Sequence, residues 1–336
     1  MTALNQEVPV FVPHPWVRNG HLQTIAGRYL LGPSIRLPAV YQEIEVDGGD
    51  RLTLLDSIPE RWAPGTPQVL MVHGLGGCAR SPYVVRVAAR LVRMGIRVVR
   101  MNLRGAGSGF GLARGIYHAG RTADLRSVAE WMNRRGQGAQ LALIGFSLGA
   151  NLVLKLASEA RDTPLDGLDC VLAANPPIDL ARCCRQIQRR ENGIYDRNFV
   201  RQLRAEIAEL HAIFPDLEPI AFPKSMTLLD FDDLYTAPRN GFLDAADYYA
   251  RNSAKDYIPR IEVSGLVVHA TDDPFIPVDP FYQIPFPSRL ALELIPGGGH
   301  LGYLSRSPWN GDRRWLDGRL CVWLADRWGR NGTERN

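Results

Sequence analysis

What most restricts this chain is its rhythm between residues 68 and 175. Short apolar runs recur, each closed by a loop and followed by a helical stretch. The runs are residues 68–72, 97–102, 140–145 and 170–175; the helical stretches between them are residues 83–94, 123–134 and 148–160. Parallel strands need a crossover of a dozen or more residues, and a helix is its usual form. The alternation therefore predicts βαβ units and a mostly parallel sheet. Near-continuous apolarity within each run fits strands buried on both faces. Upstream, residues 41–46 and 52–58 flank Asp47-Gly48-Gly49-Asp50, which predicts an antiparallel hairpin.

The rhythm breaks at residue 178. From there to residue 257 the chain is helical, charged and aromatic, with helices expected over residues 185–190, 199–213 and 243–251. The strand pattern returns at residues 265–270 and 290–295, and an amphipathic helix is expected over residues 315–328. A length of 336 residues would admit two domains at about 100–200 residues each. The chemical motifs below straddle the helical block, however, so no boundary can fall between them. The expectation is one α/β domain over residues 1–336, with residues 178–257 inserted as a helical cap.

Gly145-Phe146-Ser147-Leu148-Gly149 fits G-x-S-x-G, directly after an apolar strand and at the head of a helix. That strand–turn–helix setting is what a nucleophile elbow requires, because a tight turn lifts the Ser hydroxyl above the sheet edge. A nucleophilic Ser needs a base, and the base needs an orienting acid. On such a fold they follow in the order Ser, acid, His. Only His269 and His300 lie beyond the helical block. His269 falls inside a strand, whereas His300 follows Ile295-Pro296-Gly297-Gly298-Gly299, a flexible loop where a base could sit. The acid candidates are Asp272, Asp273 and Asp279. The strand-end turn Asp273-Pro274-Phe275-Ile276-Pro277 favours Asp273, with Asp272 its close competitor. For an oxyanion hole, the backbone N–H of Leu148 is one donor and that of Leu75, in the loop His73-Gly74-Leu75-Gly76-Gly77, is the second. That loop is not a dinucleotide fingerprint, since Ala79 stands where G-x-G-x-x-G needs its last glycine, and no Walker motif occurs.

At these residues the sequence resembles the α/β-hydrolases, and more narrowly the YheT-like family related to the mammalian ABHD lipid hydrolases. The resemblance runs from about residue 13 to residue 328. It rests on Asn19-Gly20-His21-Leu22-Gln23-Thr24-Ile25, the His73 loop, Asn102-Leu103-Arg104-Gly105, Tyr117-His118-Ala119-Gly120 with Asp124-Leu125, the elbow, Asp273-Pro274-Phe275 and Gly298-Gly299-His300. It implies an α/β-hydrolase fold with a helical cap after the sixth strand. It also implies a Ser147/Asp273/His300 triad that hydrolyses carboxylic esters of acyl or lipid type. Ser305 stands five residues after His300, so the H-x-x-x-x-D pattern of some lipid acyltransferases is not matched. The alternatives are a non-catalytic binding or scaffold protein on this fold, or an acyltransferase or peptidase using the same residues. For His21, Gln23, Arg104, His118 and Asp124 the favoured reading is buried polar pairing that fixes loops. The cap aromatics, among them Phe199, Phe214, Phe222, Phe231, Phe242, Tyr248 and Tyr249, divide between cap core and a substrate pocket.

Composition narrows the partners. Thirty-nine basic against 35 acidic residues leave a net charge of +4, and the tightest basic clusters are pairs such as Arg189-Arg190 and Arg313-Arg314. Nucleic-acid binders concentrate their charge, so none is expected. The five cysteines, Cys78, Cys170, Cys183, Cys184 and Cys321, form no C-x-x-C pair and read as packing thiols, with no metal or cofactor expected. Residues 1–13, with Gln6 and Glu7, carry no basic-then-apolar leader, and no run of 18 apolar residues occurs anywhere. The expected setting is cytoplasmic. Peripheral contact with a membrane and the oligomeric state are left open.

Overall fold

The strands β1 (Val40–Glu45), β2 (Arg51–Ser57), β3 (Gln68–Val72), β4 (Arg97–Met101), β5 (Leu141–Phe146), β6 (Leu168–Ala174), β7 (Ser264–Ala270) and β8 (Leu290–Ile295) form one sheet. Its order is β1-β2-β4-β3-β5-β6-β7-β8. The computed structural model from which this is drawn describes residues 8–30, 35–309 and 311–329; Gln6 and Glu7 of the N-terminal reading lie outside them. β1, β2 and β4 pair antiparallel, and from β4 through β8 every neighbouring pair is parallel. The expected hairpin and parallel core are both present.

Side chains alternate across a strand, so each parallel strand supplies two cores. Val69 and Met71 share one with Val84, Val87 and Leu91 of α2 (Pro82–Arg93) and with Leu320 and Leu324 of the C-terminal helix Trp315–Arg327. Leu70 and Val72 share the other with Leu125, Val128 and Met132 of α3 (Thr122–Gly136) and Leu152 and Leu156 of α4 (Leu148–Glu159). All of these residues are 0–1% exposed, which accounts for the lack of polar alternation in the strands.

Between β6 and β7 the described residues form helices and no strand, including α5 (Leu180–Ile187), α6 (Gly193–Ile213) and the helix Ala245–Asn252. α5 begins before the expected residue 185 because the Asp179 side chain accepts the Arg182 N–H and caps it there. Asp244 caps Ala245–Asn252 in the same way, accepting from Asp247 N. α6 extends further toward the N-terminus than its apolar pattern indicates, starting at Gly193.

Among the elements not foreseen by local pattern are α1 (Gly20–Tyr29) and a hairpin of β9 (Leu304–Trp309) with β10 (Asp312–Arg314). They belong together. Gln23 is 0% exposed; its side chain donates to Val17 O and Leu304 O and accepts from Leu304 N. Gly27 lets α1 approach the loop before β9 so closely that a Cβ there would lie 2.6 Å from Gly302 Cα. α1 is therefore held by contacts far away in sequence.

Arg104, 1% exposed, ties the hairpin to the sheet. Its guanidinium grips Asp124 of α3 with bonds of 3.1 and 2.6 Å, donates to Asp50 at 2.6 Å and pairs with Asp47 in the hairpin turn. Asp50 and Asp124 are themselves buried. Removing one partner of a buried charge cluster costs about 3–5 kcal/mol, because the others stay desolvated and unpaired. Arg104→Met is expected to lose that much stability, read as a lowered urea midpoint; an unchanged midpoint would contradict this account.

Candidate active site

The strand order reverses at β3, whose neighbours are β4 on one side and β5 on the other. Loops leaving the carboxyl ends of β3 and β5 therefore diverge and leave a crevice between them. The His73 loop and Ser147 occupy it. Ser147 has φ 52° and ψ −121°, a conformation that costs about 1–3 kcal/mol and persists only where its surroundings enforce it. They do so by close approach. A Cβ on Gly145 would stand 2.2 Å from Gly149 O, and one on Gly149 would stand 2.4 Å from Val72 O. A Cβ on Gly74 would lie 2.9 Å from the Ser147 Cβ. Glycine is required at all three positions by packing alone.

The ends of the next strands converge on the same edge. His300 follows β8 after Gly297, Gly298 and Gly299, all with positive φ. Its backbone N–H is held by Thr24 Oγ1 of α1 at 2.8 Å. Its Nε2 lies 2.9 Å from Ser147 Oγ, and its Nδ1 lies 2.8 Å from Asp273 Oδ2. Of the three carboxylate candidates, only Asp273 meets the ring. Asp272 instead accepts the Gly299 N–H at 2.9 Å, and Asp279 is exposed at the start of a short helix, Asp279–Gln283. His269 is buried in β7 with its ring stacked on Phe281.

Asp273 is enclosed by donors. Oδ1 accepts the Phe275 and Ile276 N–H groups at 2.8 and 3.1 Å, and Oδ2 accepts Asn175 Nδ2 at 2.6 Å. Burial pushes its carboxyl up, but the charge and hydrogen bond of His300, with help from His269 and Phe275, outweigh burial and hold it below the ordinary carboxylate range. An ionised Asp273 only accepts hydrogen bonds, so His300 donates from Nδ1 and presents Nε2 as the acceptor for the Ser147 hydroxyl.

Asn175 and Tyr303 were not singled out by sequence reasoning. Asn175 sits after β6 at φ 47°. It donates to Asp273 and to Gly299 O, and its Oδ1 accepts Tyr303 Oη at 2.9 Å. The sole local signal was its place at a strand end, since the ends of β5, β7 and β8 on this edge supply Ser147, Asp273 and His300.

Leu75 and Leu148 both line the cavity beside Ser147, and neither amide N–H has a hydrogen-bond partner among the described residues. Leu148 opens α4, so its N–H is free for an anion at a helix N-terminus. The loop bearing Leu75 is pinned on both flanks. His73 bonds Gly74 O through Nδ1 and accepts the Leu103 N–H, and Tyr117 Oη accepts the Gly76 N–H. Burial lowers His73 to about 4, so it stays neutral in this structural role.

The cavity, about 280 Å³, runs from Ser147 and His300 under the helices between β6 and β7. Leu180 and Ile187 of α5, Phe199 and Leu203 of α6 and Phe231 give it an apolar wall. Of the aromatics flagged in the sequence, Phe199, Phe231, Tyr248 and Tyr249 reach the cavity, while Phe222 stacks behind Phe231. Cys183 and Cys184 also line it. His118 lies on its wall with Nδ1 accepting the Gly120 N–H. His21 stacks on Tyr195 of α6, 3.2 Å from its hydroxyl.

One carboxyl on this wall stands out. Asp232 lies in a π-helical turn, Asp232–Thr236, and accepts Tyr249 Oη at 2.6 Å. Burial pushes it up to about 6. Since this exceeds the unfolded value, the folded protein binds a proton that the unfolded chain has released, and stability falls as pH rises from about 4 to 6. Asp232→Asn removes that charge. Its Tm is expected to exceed that of the wild type by roughly 2–4 °C near pH 8, with the gap closing near pH 4; a gap independent of pH would refute the assignment.

Comparison with known proteins agrees with this architecture. A family model described as the alpha/beta hydrolase fold matches residues 67–307. The YheT protein of Escherichia coli (strain K12) is 32% identical over 323 residues, covering 94% of this chain and 93% of that protein. A monoacylglycerol lipase of Saccharomyces cerevisiae is 27% identical over 271 residues, covering 77% of this chain but 59% of the lipase. Among solved structures, the Pyrococcus furiosus esterase Pf2001 superposes with a TM-score of 0.56 at 15% identity, over 90% of this chain and 98% of that one, a likeness of fold. The chain belongs to the α/β-hydrolase fold family and, within it, groups with YheT.

Proposed function

We propose that Ser147, His300 and Asp273 are a catalytic triad, and that the chain hydrolyses carboxylic esters of acyl or lipid type through an acyl-enzyme. The observation that carries this reading is the unbroken hydrogen-bonded series Asp273–His300–Ser147, at 2.8 and 2.9 Å, ending on the wall of an apolar cavity. The esterase and lipase names of its sequence relatives support the same class of reaction.

In this mechanism His300 Nε2 takes the Ser147 proton as Oγ attacks the ester carbonyl. Negative charge grows on the carbonyl oxygen and is held by the Leu75 and Leu148 N–H groups, which have no acceptor to give up. His300, now a cation, is stabilised by the Asp273 carboxylate and passes its proton to the leaving alcohol. Water then attacks the acyl carbonyl as His300 Nε2 takes its proton; the bond to Ser147 Oγ breaks, His300 returns the proton to Oγ, and the acyl group departs as the acid. Asn175 and Tyr303 act through Asp273 by fixing its orientation. Residues 178–257 act as a cap over one hydrolase domain, with the α5 and α6 side chains choosing the acyl group.

Ser147→Ala is expected to abolish both p-nitrophenyl ester turnover and fluorophosphonate labelling while circular dichroism stays unchanged. Full turnover in that variant would overturn the assignment. Asp273→Asn, which alters the His300 tautomer, is expected to lower kcat by about 10⁴-fold. Activity plotted against acyl length should rise and then fall with the cavity's limit; a flat profile would remove the cap from substrate choice.

A further inference from the structure

α1 is amphipathic in the wrong sense for a helix that faces water. Its buried side carries Gly20, Gln23, Thr24 and Ala26. Its outer side carries Leu22, Ile25 and Tyr29, spaced i, i+3 and i+7, at 43%, 45% and 67% exposure. A surface helix ordinarily turns polar groups outward. Here Gln23 and Thr24 are consumed inside, holding β9 and His300, and the apolar stripe is left outside. The stripe lies at the cavity mouth, because Ile25, Arg28 and Tyr29 also line the cavity that reaches Ser147. Across the mouth, α6 exposes Ile194 at 67%, on the same helical face as Asn198, which lines the cavity four residues on.

The charge around this rim is mainly basic: the α1 side carries arginines alone, and at the start of α6 the exposed Arg197 and Arg201 stand against one exposed carboxylate, Glu191, Asp196 being buried. Residues 8–30 contain Arg18 and Arg28 and no carboxylate. Arg28 lies against the Tyr29 ring at 5.8 Å, and Arg201 of α6 donates to Asn198. Aliphatic and aromatic groups on an exposed helix face, flanked by arginines, are the makeup of a helix that rests in a lipid interface. A protein seated on the same stripe would close the mouth. A fluid lipid surface would cover the stripe and still feed the cavity.

We propose that this rim, formed by α1 and the start of α6, docks onto an anionic lipid surface, so that an ester enters the cavity directly from the lipid. The proposal rests on Ser147 being the nucleophile at the cavity floor, and the test separates the two. The full chain is sedimented with vesicles of phosphatidylcholine alone and of phosphatidylcholine with phosphatidylglycerol. Partitioning is expected to be at least about tenfold stronger on the anionic vesicles, and Arg18→Glu is expected to weaken it by about fivefold or more. The double variant Leu22→Glu/Ile194→Glu is expected to lose vesicle binding and turnover of a vesicle-borne long-chain ester. Its turnover of a soluble short-chain p-nitrophenyl ester and its fluorophosphonate labelling are expected to be unchanged, which also shows that it folds. Absent or charge-independent vesicle binding would overturn the proposal. So would a wild-type oligomer in size-exclusion chromatography that the double variant dissociates, since a second copy would then be the occupant. Vesicle binding without labelling of the wild type would instead overturn the reading of Ser147.

Discussion

The turn between β5 and α4 is the constraint on which the rest depends. It holds Ser147 at positive φ, outside the comfortable region for an L residue, and nothing within the turn itself makes that favourable. The enforcement comes from backbone packed against backbone: Gly145 against Gly149, Gly149 against the end of β3, and Gly74 against Ser147. These approaches exist because β5 lies directly beside β3 in the sheet. The strand order thus brings the two amides with open donors, Leu75 and Leu148, to the same crevice as the hydroxyl.

From that turn the polar network extends inward along the sheet edge. Ser147 meets His300, His300 meets Asp273, Asp273 meets Asn175, and Asn175 meets Tyr303. Each partner stands after a different strand or on the loop before β9, so the network sews four loops into one rigid rim. Burying a carboxylate is costly unless donors surround it, and Asp273 has four: two amides, Asn175 and His300. The same low-polarity surroundings that make this network strong also account for the elevation of Asp232, which has hydroxyl donors and, among the described residues, no cation in contact.

Much of the fold was legible because the strands are short, apolar and regularly spaced; β3 and β8 match their sequence runs residue for residue. Helix starts were less so. α5 begins where the Asp179 side chain caps it rather than where its amphipathic pattern begins. α1 escaped because its own sequence argues against a soluble helix: Gln23 and Thr24 are inside and Leu22 and Ile25 outside. Among site residues, Ser147 and His300 announced themselves by glycine-rich punctuation. Asn175 did not, since an asparagine before two prolines reads simply as a strand end.

By itself the sequence determined the alternation of strands and helices from β1 to β8, the strand-turn-helix around Ser147, the position of His300 in a glycine loop, and a short set of acids. Those follow from local rules of periodicity, steric room and turn chemistry. Only the tertiary structure decided between Asp272 and Asp273 as the carboxylate on the His300 ring. The two are adjacent in the chain but point to different partners, Gly299 and His300 respectively. Only the tertiary structure turned Asn175, Tyr303 and α1 toward the site, and left an apolar, basic rim at the cavity mouth. The reason is physical: hydrogen bonds and close packing between β6, β8, β9 and α1 join residues more than a hundred positions apart, and no local pattern carries that register.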